Sequence, residues 1–298
     1  MPREVVVVIN RRSRRSQSEL ERLQKAFAAH RLHVVELHVA ADDDECRRSL
    51  KHAVKAGAPE VVVGGGDGTM THAVDVLANR ETVLGVLPLG TGNSFAQSLG
   101  IDPHDLEAAV ATIARRHVAQ VDLGVVNGTH FANFATIGLS SQIAGATQRS
   151  WKNMFGTVAY ALAGIGPLLT HRPFRAKIRW PGGRLTLETQ DIIVANGRYF
   201  GKTALGPDAT IDEGLLTLFT SADRSALDAV RTYLALGRGT QLSLPGAHLI
   251  TARSFSIVVR KRQRIRIDGS AFARTPAQFR VAPGALRVFV PESGVAHG

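Results

Sequence analysis

A glycine-rich turn with one carboxylate lies in the first third of the 298-residue chain. Residues 64–69 read GGGDGT, between an apolar strand-like run and a helical pattern. Consecutive glycines let backbone N–H groups approach a phosphate, and the N-terminus of the following helix adds a favourable dipole. Asp67 could bind Mg²⁺ or abstract a proton. The turn lacks the Lys of a Walker A loop and does not fit the G-x-G-x-x-G dinucleotide pattern.

A second turn of small residues follows the next predicted strand and reads PLGTGNSFA at residues 88–96. Parallel sheets bind ligands at the carboxyl ends of their strands, so we expect both turns at the same sheet edge. Two adjacent phosphate-binding turns predict a nucleoside triphosphate as the ligand.

The elements around these turns alternate between strand and helix through the first 122 residues. Apolar runs predict strands at residues 5–9, 34–39, 61–63 and 83–87. Asp42 is the expected N-cap of one intervening helix, and Asp102 and Pro103 are expected to introduce another. This alternation, with near-continuous apolar strands, indicates a parallel sheet covered on both faces.

After about residue 122 the pattern changes to short strands joined by tight turns. Strands are predicted at residues 124–137, 175–180, 184–195, 215–220, 255–260, 264–268, 278–282 and 286–290, and helices at 151–169 and 225–236. We therefore predict an α/β fold: an N-terminal doubly wound parallel-sheet domain, then a mostly antiparallel β-sandwich domain, with a cleft between them.

The net charge narrows the choice of binding partners, and the cysteine content indicates the cellular compartment. The chain has 36 Lys and Arg against 25 Asp and Glu, a net charge of +11, which favours nucleotide phosphates, nucleic acid or an acidic lipid surface. A basic cluster at residues 260–266 predicts a solvated face or, alternatively, contact with an anionic membrane. No nucleic-acid-binding motif is present, so we expect no nucleic acid partner. The single cysteine, Cys46, excludes a disulfide framework and indicates a cytoplasmic setting.

One uncharged segment, residues 153–170, invites comparison with a membrane span. Its apolar stretches are shorter than the roughly 20 residues that a span requires, and Gly and Pro interrupt them. We expect a buried or membrane-touching helix instead.

The two turns and several later motifs resemble the diacylglycerol-kinase catalytic-domain superfamily of lipid kinases, which includes YegS-like, sphingosine and ceramide kinases. The further motifs are VDLG at 121–124, ANGRYFG at 195–201, GPDA at 206–209, DEGLL at 212–216 and IDG at 267–269. The resemblance covers nearly the whole chain. GGDGT alone is shared with NAD kinases and phosphofructokinases, whereas the second turn and the ANGRYFG and PDA motifs are specific to lipid kinases.

The resemblance implies Mg²⁺-dependent transfer of the ATP γ-phosphoryl group to the hydroxyl of a diacylglycerol-, ceramide- or sphingoid-like lipid. It implies an ATP-binding domain at residues 1–122, to which residues 284–298 return, and a lipid-substrate domain at 123–283. It also implies a role in lipid metabolism or phospholipid biosynthesis. The protein would act in the cytoplasm, bound peripherally to the anionic inner face of the membrane.

Site residues follow from the same resemblance. Asp67 would be the catalytic residue. It would also bind the metal, and Asp208 and Asp212 would be the other metal ligands. Asp122, Lys152 and Ser270 would support the site. The nucleotide would be bound by Asn10, Ser13, Arg15, Gly65, Gly66, Gly68, Thr69, Gly90, Thr91, Gly92 and Asn93.

Three serines stand where relatives carry acids: Ser94, Ser140 and Ser270. One hypothesis is an active kinase in which Asp67 serves as both base and metal organiser. The alternative is a catalytically silent pseudokinase that binds nucleotide or lipid. A third possibility, an NAD kinase-like enzyme, shares only the GGDG turn.

Overall fold

A computed structural model describes residues 3–12, 16–146, 171–196, 199–200, 203–205, 213–269 and 271–292. The helix predicted at residues 151–169 lies outside these ranges.

The N-terminal half alternates strands and helices in the predicted order. Its elements are β1 (Arg3–Asn10), α1 (Ser16–Ala29), β2 (Leu32–Ala40), α2 (Asp43–Lys55), β3 (Glu60–Gly65), α3 (Asp67–Leu77), β4 (Val83–Pro88), α4 (Ser94–Ser98) and α5 (Leu106–Arg115). Strands β2, β1, β3 and β4 are neighbours in that order, and all pair in parallel. Strands β3 and β4 contain runs of Val and Leu. Both strands are completely buried, because helices cover both faces of the sheet.

Helix starts were predicted with mixed success. The Asp42 side chain accepts a hydrogen bond from the Glu45 N–H at 2.9 Å, which confirms it as the N-cap of α2. The predicted start at Asp102 is wrong, because Asp105 caps α5 through the Ala108 N–H. Asp102 instead accepts from the His104 N–H two residues later and closes a local turn before the helix.

The remaining chain is mostly antiparallel, as predicted. Its elements are β5 (Val118–Val126), β6 (Thr129–Phe131), β7 (Phe134–Gly138), α6 (Leu139–Ala146), β8 (Phe174–Trp180), β9 (Gly183–Thr189), β10 (Asp191–Asn196), β11 (Tyr199–Phe200), β12 (Thr203–Ala204), β13 (Leu216–Ser221), α7 (Ala226–Arg238), β14 (Ala247–Ala252), β15 (Ser254–Val259), β16 (Arg264–Ile267), β17 (Ala271–Arg274) and β18 (Ala277–Phe289). The single strand predicted at 124–137 is wrong, because a turn at Asn127 and Gly128, both with positive φ, ends β5.

Two sheets form the sandwich. A six-stranded sheet has the order β14, β13, β10, β7, β16, β17, and a ten-stranded sheet runs β2, β1, β3, β4, β18, β15, β8, β9, with β5 and β6 attached at β18. An apolar core that includes Phe131, Phe255 and Phe279 fills the space between them. Helix α7 packs through Leu236 against Ile193 and Phe219 on the outer face of the six-stranded sheet.

Strand β18 joins the two halves of the molecule. Residues 277–280 pair with β15 in the sandwich, and Val288 pairs in parallel with Leu84 of β4. The predicted strands at 278–282 and 286–290 are therefore one strand, irregular between Ala282 and Leu286. The domain boundary near residue 122 stays a prediction.

Candidate functional site

The two glycine turns lie side by side at the carboxyl ends of β3 and β4. Gly65 pairs with Pro88, and the Leu89 N–H donates to the Gly65 carbonyl at 3.0 Å. A Cβ placed on Gly90 would overlap the Cα of Gly66, so the close approach of the turns requires glycine there.

Asp67 lies where the two turns meet, as the first residue of α3. Its Oδ1 accepts a hydrogen bond from the Phe95 N–H at 3.3 Å, and Ser94 Oγ lies 3.5 Å from its Oδ2. A Cβ on Gly92 would lie 2.8 Å from Oδ2, so glycine keeps this approach to the carboxylate open. Burial raises the pKa of the Asp67 carboxyl, and hydrogen bonds from the second turn oppose the shift only in part. The contacts of Asp67 at 3.3 and 3.5 Å are therefore long for hydrogen bonds to a carboxylate.

The start of α3 offers backbone donors. Gly66 is its N-cap, and no side chain of the described residues caps the helix there. The first N–H groups of a helix lack intrahelical partners, and they carry the positive end of the helix dipole. The first turn of α3 is therefore suited to an anion.

Asn10 and Thr69 hold the first turn in shape. Asn10 Nδ2 donates to Asp43 Oδ1 at 2.7 Å and to Thr69 Oγ1 at 3.0 Å, and its Oδ1 accepts from the Arg12 N–H. Both side chains are buried. The hydrogen bonds of Asn10 therefore go to the protein, which makes it a residue that positions the turn.

Asn93 holds the second turn in a similar way. Its Oδ1 accepts from the Gly90 N–H at 2.9 Å, and its Nδ2 donates to the carbonyls of Gly90 and Pro88. Its backbone is left-handed, with φ of 52°, a conformation that Asn tolerates better than most residues. Thr91 and Gly92 form the exposed tip of the turn.

Asp122 is buried where the two halves meet. Its Oδ1 accepts from the Gly284 N–H at 2.8 Å, in the irregular part of β18, and its Oδ2 accepts from the Gly214 N–H at 2.6 Å. Asn196 Nδ2 donates to its carbonyl. Asp122 thus fixes the position of the chain just after the predicted ligand Asp212.

Asp268 is a residue of this region that the sequence-based site omitted. Its carboxylate accepts three hydrogen bonds of 2.8 to 2.9 Å, from the backbone N–H groups of Ala132, Asn133 and Phe134. Burial raises its pKa to about 6, and the nearby charge of Asp67 adds to the shift. An Asp-Gly pair directly after an apolar strand was the available signal for a turn here.

A further buried carboxylate lies at the opposite end of the six-stranded sheet. Asp191 opens β10, and its Oδ2 accepts hydrogen bonds from the Ser140 hydroxyl and, at 2.5 Å, from the Tyr233 hydroxyl. Its Oδ1 has no partner among the described residues. Burial raises the pKa of Asp191 to about 6.

The structure brings together part of the predicted site. The two turns contain Asp67, Thr69 and the predicted glycines, and Asn10 lies beside them. Asp122 lies at the junction of the halves. The predicted residues Ser13, Arg15, Lys152, Asp208, Asp212 and Ser270 lie outside the described residues. Neither a metal cluster nor a membrane span is found in the part of the chain that the structure describes. Within the described ranges no three His, Cys, Asp or Glu side chains form a group that could hold a metal ion. No helix in that part of the chain is long and apolar enough to cross a membrane.

Comparison with known proteins accounts for both halves. Residues 4–126 match the diacylglycerol kinase catalytic domain, and residues 133–290 match the YegS C-terminal NAD kinase beta sandwich-like domain. A probable lipid kinase YegS-like protein of Pseudomonas aeruginosa is 32% identical over 92% of this chain and 91% of its own length. A diacylglycerol kinase of Bacillus subtilis is 28% identical over 78% of this chain and 80% of its own length.

A crystal structure of a diacylglycerol kinase from Bacillus anthracis has the same fold. It superposes with a TM-score of 0.72 at 22% identity and covers 98% of both chains. The sequence matches cover most of the chain and therefore assign it to a family, whereas the structural match shows that the fold is the same. The chain belongs to the family of lipid kinases that combine a diacylglycerol kinase catalytic domain with a YegS-type C-terminal β-sandwich.

Proposed function

We propose that the protein transfers the γ-phosphoryl group of ATP to the hydroxyl of a membrane lipid and uses Mg²⁺ to do so. The observation that carries this proposal is the position of Asp67, at the uncapped start of α3 and between two touching glycine turns. In phosphoryl transfer the protein mainly positions the phosphates and neutralises their charge. A phosphate-binding site at the sheet edge, such as the one formed by these turns, serves both purposes.

Backbone N–H groups at the start of α3 and the exposed tip of the second turn would bind the phosphates. Asn10, Thr69 and Asn93 would act indirectly, since their side chains hold the turns in shape. Gly90 would allow the turns to approach each other, and Gly92 would leave room beside the carboxylate of Asp67.

Asp67 also fits a role in binding Mg²⁺. This ion is commonly bound by one or two carboxylates together with substrate phosphates and water. The contacts of Asp67 are long, at 3.3 and 3.5 Å, so an ion would displace only weak hydrogen bonds. Asp208 and Asp212 remain proposed as further ligands. When bound, the ion would neutralise charge on the phosphates.

Asp67 would also accept the proton of the lipid hydroxyl. The hydroxyl oxygen would bond to the γ-phosphorus, the bond to the bridging oxygen of ADP would break, and the proton would pass to the carboxylate. The raised pKa of Asp67 favours proton uptake. Asp268 is less suited to this role, because its carboxylate accepts three hydrogen bonds of 2.8 to 2.9 Å from backbone donors, whereas the contacts of Asp67 are longer.

The decisive experiment is a phosphotransfer screen with labelled ATP and Mg²⁺ against a total lipid extract, with products identified by mass spectrometry. We expect one phosphorylated lipid class and loss of the product without Mg²⁺. Ser270→Glu restores the acid that relatives carry, and we expect little gain from it. Absence of turnover in the natural protein, together with activity in Ser270→Glu, would establish the pseudokinase alternative.

Nucleotide binding is tested separately by thermal unfolding with ATP and Mg²⁺. Gly66→Val and Gly92→Val should abolish the stabilisation by ATP, because the new side chains would fill the turns. Gly237→Val is the control, since Gly237 lies on α7 with open space around it. Stabilisation that persists in both turn variants would refute the placement of the nucleotide.

A further inference from the structure

Helix α7 exposes leucines to solvent. Leu227 and Leu234 are seven residues apart, so they lie on the same side of the helix, and they are 57% and 52% exposed. Leu242, just after the helix, is 49% exposed. No other α-helix exposes a large hydrophobic side chain among the side chains that the structure describes. The opposite side of α7 packs on the six-stranded sheet through Leu236.

Arginines flank these leucines. Arg224, Arg231 and Arg238 are also spaced by seven residues, and all three are exposed. The acid beside them is Asp228, which caps the start of α7 and lies 3.8 Å from Arg231. The outward side of α7 therefore combines apolar side chains with an excess of positive charge.

We infer that this surface, formed by Leu227, Leu234, Leu242 and the three arginines, docks the protein on an anionic lipid bilayer. The inference rests on the proposed function, which requires access to a lipid in a membrane. Leucines would enter the boundary between headgroups and acyl chains, and arginines would contact the phosphates of anionic lipids. Long arginine stems can lie along the apolar layer while their charged ends stay at the headgroups.

A second copy of this chain is a less suitable occupant. A two-fold contact would place the same surface against itself, so the arginines of one copy would face those of the other. With one acid among three arginines, repulsion would oppose that contact. An anionic bilayer complements both the charge and the apolar side chains.

Another basic surface of the molecule differs in character. Lys177 and Arg179 lie on the solvent side of β8, and the neighbouring Val258 of β15 is exposed. Such a surface can attract anionic lipids through charge alone, and salt would screen that attraction. Binding through α7 should instead retain a salt-resistant part, because leucine insertion does not depend on charge.

The test is sedimentation of the full-length protein with vesicles of phosphatidylglycerol and phosphatidylcholine, and with vesicles of phosphatidylcholine alone, in the absence of nucleotide. Leu227→Gln/Leu234→Gln should weaken binding to anionic vesicles by about tenfold or more. Arg231→Gln/Arg238→Gln should weaken it by about fivefold per arginine and flatten its salt dependence. The matched control is Val35→Gln/Leu37→Gln on β2, where exposure is 44% and 43%, and we expect no change.

Leu234→Trp gives a direct readout of insertion, a blue shift of tryptophan emission on anionic vesicles. Unchanged binding in the leucine variant, or loss only in Lys177→Gln/Arg179→Gln, would overturn the inference. So would a change of oligomeric state in the leucine variant with vesicle binding intact. Circular dichroism should show that each variant stays folded, since the replaced side chains are exposed.

A kinase assay on detergent-dispersed lipid separates this inference from the proposed function. The leucine variant should keep its turnover there, because docking is no longer required. Vesicle binding without turnover in any assay would refute the proposed function alone. Turnover on dispersed lipid with vesicle binding that does not depend on α7 would refute the docking surface alone.

Discussion

Two serines that replace acids of the family pattern each face an aspartate, half-buried in one case and buried in the other. Ser94 Oγ lies 3.5 Å from Asp67, at the meeting point of the glycine turns. Ser140 forms a close hydrogen bond with Asp191, at the far end of the six-stranded sheet, where Tyr233 adds a second hydroxyl. Burial raises the carboxyl pKa in both places.

The difference shows that a raised pKa alone does not identify a reactive group. Asp191 accepts hydrogen bonds from the hydroxyls of Ser140 and Tyr233 on one oxygen, and it thereby joins α6, β10 and α7. Asp67 has long contacts, an uncapped helix start and a neighbouring charge, that of Asp268. Loose hydrogen bonding beside open backbone donors is what distinguishes the candidate catalytic carboxylate.

The largest expected effect is on turnover. Asp67→Asn keeps the shape of the turn but removes the charge that would hold Mg²⁺ and accept the proton. Phosphotransfer should fall by about 10² to 10⁴. Asp191→Asn is the matched control and should leave turnover unchanged. Equal losses in the two variants, measured on the same lipid, would contradict the assignment of roles.

The next effect is on stability. Ser140→Asp places a second carboxyl against the buried Asp191, and we expect the free energy of unfolding to drop by about 2 to 4 kcal/mol. Ser94→Asp restores the acid of the family pattern at a half-buried position, where an added charge is better solvated. It should cost less than about 1 kcal/mol. Urea unfolding at pH 7 measures both, and a reversed order would refute the contrast.

Asp191 and Asp268 predict a pH dependence of opposite sign to that of ordinary ion-paired carboxylates. Their folded pKa values of about 6 lie above the ordinary value of 3.8 for an aspartate. The unfolded chain therefore loses these protons first, and the free energy of unfolding should fall as the pH rises from about 4 to about 6 and then level off. The fall is of the order of 2 to 3 kcal/mol for each group.

The control for this pH dependence is Asp191→Asn, which should remove part of the fall. Carboxyls with lowered pKa values, such as Asp75, act in the opposite direction, but mainly below pH 4. Urea unfolding between pH 4.5 and pH 7.5 measures the fall, and the difference between the natural protein and the variant isolates the part due to Asp191. A stability that rises through this range, or an unchanged slope in the variant, would contradict the prediction.

The sequence predicted the fold well because its signals are local. Val runs and helical spacing place β1 to β4 and their helices, and the glycine turns then fall at one sheet edge. The pairing of β18 with both halves was harder to predict, because Asp122 and Gly284 meet across 162 positions of the chain. A local pattern predicts a strand but does not specify its partner.

The candidate site was predicted in part for a similar reason. GGGDGT identifies Asp67, since glycines and an acid at a strand end have few other uses. The roles of Asn10 and Asn93 depend on contacts with Asp43, Thr69 and the carbonyl of Pro88, which composition does not show. Asp268 was missed because the Asp-Gly pair predicts only a turn, and its partners, three backbone N–H groups, carry no sequence signal.

The smallest expected effect comes from one substitution made at both serines. Ser94→Ala removes a contact of 3.5 Å at a half-buried position, and the free energy of unfolding should change by less than about 0.5 kcal/mol. Ser140→Ala removes a close hydrogen bond to a carboxylate that has few other donors, and should cost about 1 to 3 kcal/mol. Each substitution removes a serine hydroxyl and leaves an alanine. The difference between the two changes in the free energy of unfolding therefore reports the surroundings of the two serines. Urea unfolding of the two variants at pH 7 measures this difference. Equal changes would mean that Asp67 is held as tightly as Asp191 and that its contacts do not leave it available for chemistry.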